Sequence, residues 1–478
     1  MNINPHLKGR TPTLVSLSDK PVRRMAEGLG FNWYSCYEPR TYPAPDDEAR
    51  WRRIFAHADW LNINFVRYGQ SAGKISDERG SFRPGDVSFD QLRRVDAWAA
   101  GRGASLILDP FSVPAPFRYE VWDGCPGVWG NGNAHSPGVA HIDGYVDRFI
   151  VPYVRHVAEE MGCTSVRWFN CVNEPLRGGH LATPPPVDDH VRYVEMLAAI
   201  RQGLNEAGLG RIGIMGPDTF SHTYWPIDHM LQMGADPDGH IQAYCMHHYH
   251  SHFDWDAASD NIGGTDPISK TINEQLARYA DYAHARGKPY LVTELGMFHY
   301  GWGWGDPAGI ARHDNVILEL EFIVRAIARG ADAVLRWAWL NPGIHDGWWQ
   351  LIETTDGSDQ PLRDPYYGYA TLYRAVDRGA QVLETAVQHG AGQPATVHAV
   401  GVANDDGTRS LAVINDSYAN PAAVRVRFAA PSGAAVCRVA TDPVRKYAVT
   451  AAPGGGEGEF DDILSPMSIT VYTTKTDG

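Results

Sequence analysis

The sequence predicts an α/β fold, a (β/α)8 TIM barrel followed by a small C-terminal antiparallel β-sandwich domain. Eight short apolar runs alternate with segments of helical periodicity, which is typical of parallel strands joined by helices. Polar or aromatic residues follow the runs, where barrels of this kind build their binding sites. After about residue 382 the helical pattern fades and short alternating runs replace it.

The 478 residues exceed one ordinary domain, and the change of pattern divides them into three segments. Residues 1–27 form an N-terminal segment, in which 13–17 has the pattern of a strand that has no place in the barrel. This strand could join the sandwich. Residues 28–381 form the predicted barrel, and residues 382–478 form the predicted β-sandwich domain.

The elements follow from their local patterns. Barrel strands are predicted at 31–35, 63–68, 105–108, 166–172, 212–215, 241–246, 289–294 and 333–337. Helices are predicted near 51–61, 88–101, 142–161, 187–207, 272–286 and 313–328. Sandwich strands are predicted at 396–402, 409–414, 423–428, 434–440 and 468–473. The fourth barrel strand should end by Pro175, because proline cannot donate to a β ladder.

Composition and charge narrow the class of protein. The chain is 44% hydrophobic and 21% charged, as in a globular protein, and its formal net charge is −14. That charge argues against nucleic acid or an anionic membrane as a partner. No run approaches ~18 apolar residues. The first residues lack the apolar core of a leader, and the six cysteines form no CxxC pair, so we expect a cytoplasmic protein with free thiols.

Two glutamates end two of the apolar runs. The run WFNCVNEP (168–175) delivers Glu174, and the run PYLVTE (289–294) delivers Glu294. The carboxyl ends of barrel strands meet at one rim, so these side chains could face each other. Glycoside hydrolysis needs such a pair, with one group to protonate the leaving oxygen and one to attack the anomeric carbon. Either glutamate alone would be read as a surface or salt-bridged residue.

These motifs resemble the retaining glycoside hydrolases of clan GH-A, among them families 5, 30 and 39. The similarity covers about residues 28–380 and rests on Asn173-Glu174-Pro175 together with Thr293-Glu294. It implies that Glu174 is the acid/base and Glu294 the nucleophile. The segment RMAEGLG (24–30) and the closing strand near 464–474 resemble families 30 and 39, in which a β-sandwich accompanies the barrel.

The resemblance also implies roles for five other residues. Arg67 would support the nucleophile, and Asn173 would contact the 2-hydroxyl of the sugar. His247 and Tyr249 match a His-x-Tyr pair, with the tyrosine near the nucleophile, and Trp337 would form the floor of the −1 subsite. The alternatives are a structural ion pair for Arg67, a helix cap for Asn173 and barrel packing for Trp337.

Aromatic and acidic side chains in the predicted loops complete the candidate site. Tryptophan rings pack against the C–H faces of sugars, and Trp302 and Trp349 are candidate subsite residues in the loops after strands seven and eight. Asp109 is a candidate substrate-binding residue at the end of strand three. Asp218 and His313 could likewise bind hydroxyl groups.

The run HHYHSH (247–252) raises the possibility of a metal site. The HExxH pattern and paired CxxC motifs are absent from the sequence, so we expect neither a metal nor another cofactor.

The predicted function is a retaining β-glycosidase that acts on oligosaccharides or small glycosides. The alternatives are an endo-acting polysaccharide hydrolase of the same clan, a transglycosylase and a non-catalytic carbohydrate-binding protein. The partner is expected to be a carbohydrate substrate.

Overall fold

The structure of the protein is a computed structural model. It describes residues 11–34, 43–120, 138–175, 184, 186–220, 226–251, 267–298, 313–340, 350–354, 356–390, 395–431, 433–455 and 458–476.

Eight described parallel strands close into a barrel, because the first of them pairs with both the second and the last. They are β2 (Gly28–Tyr34), β3 (Phe65–Gly69), β4 (Ser105–Asp109), β5 (Val166–Asn170), β6 (Gly213–Phe220), β7 (Ala243–Ser251), β8 (Tyr290–Phe298) and β9 (Ala333–Arg336). A short pair, β10 (Ile352–Glu353) and β11 (Gln360–Pro361), follows the barrel strands in the chain. The predicted barrel is confirmed.

Several strands end at different places from those predicted, among them β5, β6 and β8. β5 stops at Asn170, so that the segment carrying Glu174 leaves the sheet earlier than we expected. β6 continues through Pro217 to Phe220, beyond its predicted end at residue 215. The reason is a β-bulge: Pro217 and Thr219 pair with consecutive residues of β7, and Asp218 is the extra residue between them. β8 likewise continues past Glu294.

Helices surround the barrel, and several of them begin at aspartates. Asp47, Asp86 and Asp188 each accept a backbone N–H of the first turn, which satisfies a donor that the helix itself leaves open. The helices are α1 (Glu48–Trp60), α2 (Val87–Arg102), α3 (Ile142–Tyr145, Val146–Ile150, Val151–Arg155 and His156–Glu160, with two π-helical turns), α4 (Asp189–Glu206), α5 (Pro226–Gln232), α6 (Pro267–His284), α7 (His313–Arg329) and α8 (Arg363–Tyr373). Two short 3-10 turns lie at Ala115–Phe117 and Pro453–Gly455.

The rest of the chain forms one nine-stranded sheet, in the order β17-β16-β19-β14-β13-β12-β1-β15-β18. Its strands are β1 (Thr13–Arg24), β12 (Gln381–Gln388), β13 (Val397–Ala403), β14 (Arg409–Asn415), β15 (Ala422–Phe428), β16 (Cys437–Thr441), β17 (Ala448–Ala451), β18 (Gly458–Leu464) and β19 (Ser468–Thr473). All pairs are antiparallel except β1 with β15, so the early strand joins this sheet as predicted. β12, β17 and β18 were not predicted.

The sheet curls over its own core. β18 is an edge strand and β19 stands six places away, yet the rings of Phe460 and Tyr472 lie 5.2 Å apart. The sheet therefore encloses apolar side chains as a sandwich does, in agreement with the prediction. Among the described residues, no helix combines the length and the apolar character that crossing a membrane requires.

Candidate active site

The two predicted catalytic glutamates meet at the carboxyl end of the barrel. One carboxylate oxygen of Glu174, one of Glu294 and a ring nitrogen of His247 all lie within 4.8 Å of one another. The Glu294 side chain is 6% exposed, whereas that of Glu174 is 26% exposed. The pair is therefore buried on one side and open to solvent on the other.

The backbone around Glu174 is held in an uncommon conformation. Glu174 has a φ of +46°, in the left-handed region that costs energy for residues other than glycine. Its N–H donates to the carbonyl of Asp218 at 3.1 Å, and the N–H of Asn173 donates to the carbonyl of Phe111 at 2.9 Å. These two bonds fix the turn that aims Glu174 across the barrel.

Arg67 is fully buried below the pair and binds several acidic groups. Its Nη1 donates to Oε1 of Glu294. Its Nη2 donates to Oδ1 of Asn173 at 2.7 Å, and pairs with Asp109 at 2.7 Å and with Asp218 at 2.8 Å. The planar guanidinium can serve all of these groups at once, which an ammonium could not.

His247 lies between three carboxylates. Its Nδ1 is 2.8 Å from Oε1 of Glu174 and 3.4 Å from Oε2 of Glu294, and its Nε2 is 3.1 Å from Oδ1 of Asp218. Burial alone would lower the pKa of His247, but Asp218 and Glu294 favour the charged ring and raise this pKa to about 10. The imidazole is therefore a cation near neutral pH.

Tyr249 completes the surroundings of Glu294, because its hydroxyl donates to Oε2 at 2.6 Å. Burial raises the pKa of Glu294, while His247, Arg67 and the Tyr249 hydroxyl act against the rise by stabilising the carboxylate. Glu294 thus receives hydrogen-bond donors at both of its oxygens.

Asp109 occupies a different place from the one expected. We expected it to bind a sugar hydroxyl, but it is fully buried and accepts from the Tyr34 hydroxyl at 2.7 Å and from the Phe111 N–H at 2.7 Å, besides pairing with Arg67. Asp109 therefore holds the Arg67 guanidinium in place by an ion pair rather than facing the cleft. The Trp337 ring packs on Tyr34, with centroids 4.7 Å apart, and is 7% exposed.

The remaining predicted residues fall into two groups. Trp302 and Trp349 lie outside the described residues. Asp218 and His313, for which hydroxyl contacts were considered, have protein partners instead. His313 lies 2.7 Å from the carbonyl of Met467, which directly precedes β19, and Asp218 is fully buried beneath the two glutamates.

Two further residues of the site had no role predicted from the sequence. Thr293 and Asn170 each donate to Asp218 at 2.6 Å. Thr293 precedes Glu294, and neighbours in a regular strand point to opposite faces. A bulge opposite Met246 and His247 leaves Thr293 as the extra residue, so that both side chains can serve the site. Bulges leave no readable period in a sequence.

Glu174, His247 and Glu294 are also groups of the kind that bind metal ions. A metal would need the lone pair of the His247 Nδ1 and would have to displace a proton from it, because the neighbouring carboxylates favour the charged ring. Arg67 already places a positive charge at Glu294. The chemistry of the donors therefore favours proton sharing over cation binding.

Comparison with known proteins agrees with this geometry. A family model described as cellulase, glycosyl hydrolase family 5, matches residues 32–342, a range that includes both glutamates, Arg67, His247 and Trp337. No curated protein sequence matches the chain significantly.

Solved structures resemble the chain over nearly its whole length. A glycoside hydrolase family 30 endoxylanase from Clostridium papyrosolvens has a TM-score of 0.63 at 15% identity, and the match covers 98% of this chain and 100% of that one. A glucosidase from Croceicoccus marinus has a TM-score of 0.62 at 12% identity, covering 98% and 100%. A family 51 α-L-arabinofuranosidase from Bifidobacterium longum has a TM-score of 0.61 at 15% identity, covering 97% and 99%.

At such identities the likeness shows the fold, a barrel with an accompanying β-sheet domain. The family model spans well over half of the chain, and its range contains the two facing glutamates with their buried arginine. This chain belongs to glycosyl hydrolase family 5 and is a glycosidase of clan GH-A.

Proposed function

We propose that this enzyme is a retaining β-glycosidase that cleaves O-glycosidic bonds of oligosaccharides or small glycosides by double displacement. The observation that carries the proposal is the short gap between Glu174 and Glu294, in which one oxygen of each lies within 4.8 Å of the other. Retaining glycosidases hold the two carboxyl groups about 5–5.5 Å apart, whereas inverting enzymes leave about 6.5–9.5 Å for a water molecule.

Glu294 is the nucleophile in this proposal. It is the more buried of the two, and Arg67 and Tyr249 donate to its two oxygens, which keeps them charged and fixes their direction. In the first step one oxygen bonds to the anomeric carbon as the bond to the leaving oxygen breaks. The product is a covalent glycosyl-enzyme.

Glu174 is the acid/base. It is the more exposed of the two, so that its proton can reach the leaving oxygen of the substrate. After the departure of the leaving group, the same carboxylate removes a proton from water. The water oxygen then bonds to the anomeric carbon and releases Glu294.

Two further residues are proposed to bind the sugar. The Oδ1 of Asn173 accepts from Arg67, so that its amide nitrogen is the group available to the 2-hydroxyl. This contact is of the kind that strengthens in the transition state. Trp337, which follows β9 and packs on Tyr34 with the rings tilted by 55°, is the proposed floor of the −1 subsite.

The experiment that tests the proposal is hydrolysis of a panel of aryl β-glycosides, with NMR of the first-formed anomer. The cellulase model and the endoxylanase likeness make glucosides and xylosides the first members of the panel. A first-formed β-anomer supports retention. A first-formed α-anomer would contradict it and would remove Glu294 as the nucleophile.

Azide separates the roles of the two glutamates. The Glu174→Ala variant should accumulate the glycosyl-enzyme and, with azide, give the β-glycosyl azide. The Glu294→Ala variant should give the α-glycosyl azide, because azide then attacks the substrate directly. Glu384→Ala is the matched control, since Glu384 is 55% exposed on β12 and far along the chain from the site. Full activity in either active-site variant would refute the assignment.

A further inference from the structure

Asp218 is a fully buried carboxylate at the centre of the site, and the mechanism above does not use it. Its Oδ1 accepts from the Thr293 hydroxyl at 2.6 Å and lies 3.1 Å from Nε2 of His247. Its Oδ2 accepts from Asn170 at 2.6 Å and from Arg67 at 2.8 Å. Since Asp218 is 0% exposed, it cannot itself contact a sugar.

The local chain is shaped to place this side chain. Asp218 is the extra residue of the β6 bulge, and its φ of +50° lies in the left-handed region. Bulges beside active sites commonly redirect a side chain, and this one points Asp218 into the barrel. The neighbouring bulge on β8 brings Thr293 to the same carboxylate. The bulges on β6 and β8 together place the Asp218 carboxylate and one of its hydrogen-bond donors, Thr293.

Asp218 reaches the acid/base by two routes. Its carbonyl accepts the N–H of Glu174 at 3.1 Å, which holds the turn on which Glu174 stands. Its carboxylate holds one nitrogen of His247, whose other nitrogen lies 2.8 Å from the Glu174 carboxylate. A buried anion on one side of an imidazole sets its tautomer and its orientation, and stabilises the charged ring.

We propose that Asp218 is a positioning residue that, through His247, holds the acid/base Glu174 in place and stabilises the carboxylate that forms when Glu174 protonates the leaving group. The inference rests on the proposed function. When Glu174 gives its proton to the leaving oxygen, a carboxylate forms beside Nδ1 of His247. A cationic ring stabilises that carboxylate, and Asp218 keeps the ring cationic. The other charged neighbours of the ring are Glu294, with Oε2 3.4 Å from Nδ1, and Arg67, with Nη1 3.4 Å from Nε2.

Asp218 also bonds Arg67, which supports the nucleophile, so the two routes have to be separated. Leaving groups separate them. An aryl glycoside with a dinitrophenyl leaving group needs little protonation, whereas an unsubstituted phenyl glycoside depends on the general acid. If the substitution acts through Glu174, the rate of cleavage of the dinitrophenyl glycoside should change little. If it acts through Glu294, the rates for both glycosides should fall equally.

The test compares Asp218→Asn with the wild type on these two substrates, using the sugar that the wild type cleaves fastest. We expect kcat/KM to fall about 100-fold for the phenyl glycoside and less than about tenfold for the dinitrophenyl glycoside. The basic limb of the pH profile, which reports loss of the Glu174 proton, should move to higher pH, because a His247 ring without its counter-ion no longer stabilises the Glu174 carboxylate. A purely structural role would lower both rates equally and leave the limb in place.

Asp96→Asn is the matched control. Asp96 is also a buried aspartate, but it accepts from the Ser165 N–H at 2.8 Å, at the opposite end of β5 from Glu174. It should change neither the ratio of the two rates nor the pH limb. Equal losses for both substrates in Asp218→Asn, or no loss, would overturn the inference. If Glu174→Ala were also fully active, the proposed function itself would fail.

A second measurement needs neither an Asp218 variant nor a substrate. Nitrogen-15 NMR of histidine-labelled wild-type protein reports the charge of each ring, and the His247 signals are those lost in His247→Gln. We expect a charged His247 ring at pH 8. A neutral ring with its proton on Nδ1 would overturn the inference, since Asp218 would then hold no proton at Nε2.

Discussion

The Tyr249 hydroxyl is placed to act on the ionisation of Glu294, the proposed nucleophile. It is buried beside Glu294 and donates to Oε2 at 2.6 Å. Tyr249→Phe removes this bond and leaves the ring in place. A hydrogen bond to a charged group contributes about 1.5–3 kcal/mol, so we expect kcat/KM to fall roughly 10- to 100-fold. The acid limb of the pH profile should move to higher pH, because the hydroxyl is one of the groups that hold down the pKa of Glu294.

Tyr68→Phe is the control for this substitution. Tyr68 is also buried in the barrel, but its hydroxyl donates to the carbonyl of Ser88 at 2.8 Å, outside the site. It should leave the pH profile unchanged. A Tyr249→Phe enzyme with the wild-type acid limb would show that the hydroxyl does not act on the ionisation of Glu294.

Single residues of the site were predictable where they end a regular strand pattern. Arg67, Glu174 and Glu294 each follow an apolar run, and parallel strands in a barrel bring such ends together. Asp109 was assigned to the cleft because it has the same position in its run. Its burial depends on Tyr34 and Arg67, which reach it from other strands. No pattern within one strand reports such contacts.

At the scale of elements, the barrel was easier to predict than the sheet domain. The runs that predict its strands are mostly apolar and are separated by helices, so the hydrophobic pattern and the order of the elements both indicate a barrel. β12, β17 and β18 alternate in exposure or are largely exposed, and β17 carries only four residues, so their patterns were weak. The bulges at Asp218 and Thr293 depend on pairing between strands and could not be read from either strand alone.

Gly30 gives a prediction about how two barrel strands meet. It lies in β2 opposite Phe65 of β3, and a methyl group at Gly30 would overlap the backbone carbonyl of Phe65. The strands would have to separate in a closed barrel. We therefore expect Gly30→Ala to lower the free energy of unfolding by about 3 kcal/mol or more, measured by urea denaturation followed by tryptophan fluorescence.

Gly85→Ala is the matched substitution. Gly85 is exposed, and an added methyl group there would meet no atom within 4 Å. Its free energy of unfolding should change by less than about 0.5 kcal/mol. If Gly30→Ala unfolded at the same urea concentration as Gly85→Ala, the close approach of β2 and β3 would be wrong.

At the scale of the whole molecule, α7 joins the barrel to the sheet domain through buried charges. Glu321 and Arg325 of this helix form an ion pair. Nε2 of His398 on β13 lies 3.2 Å from Nη2 of Arg325 and 3.4 Å from Oε1 of Glu321. It also lies 3.3 Å from Oδ2 of Asp416, which follows β14. Two buried carboxylates and one guanidinium thus surround the His398 ring.

This cluster should make stability depend on pH. Burial and the Glu321 carboxylate raise the pKa of Asp416 well above its ordinary value. The folded protein therefore keeps a proton that the unfolded chain loses near pH 4, so the contribution of Asp416 to stability falls as the pH rises. Asp416→Asn removes this proton uptake. We expect the variant to match the wild type at pH 4 and to exceed its free energy of unfolding by about 1 kcal/mol or more at pH 8.

Urea denaturation at the two pH values measures this difference. Burial and Arg325 lower the pKa of His398 to about 3, which reduces stability below about pH 6.5, but this applies equally to both proteins and cancels in the comparison. Asp405→Asn is the control, because Asp405 is exposed and pairs only at the surface, with Arg24. If Asp416→Asn were less stable than the wild type at pH 8, we would conclude that Asp416 is charged in the folded protein. The cluster would then hold its proton on His398, and the connection between barrel and sheet would be an ion-pair network.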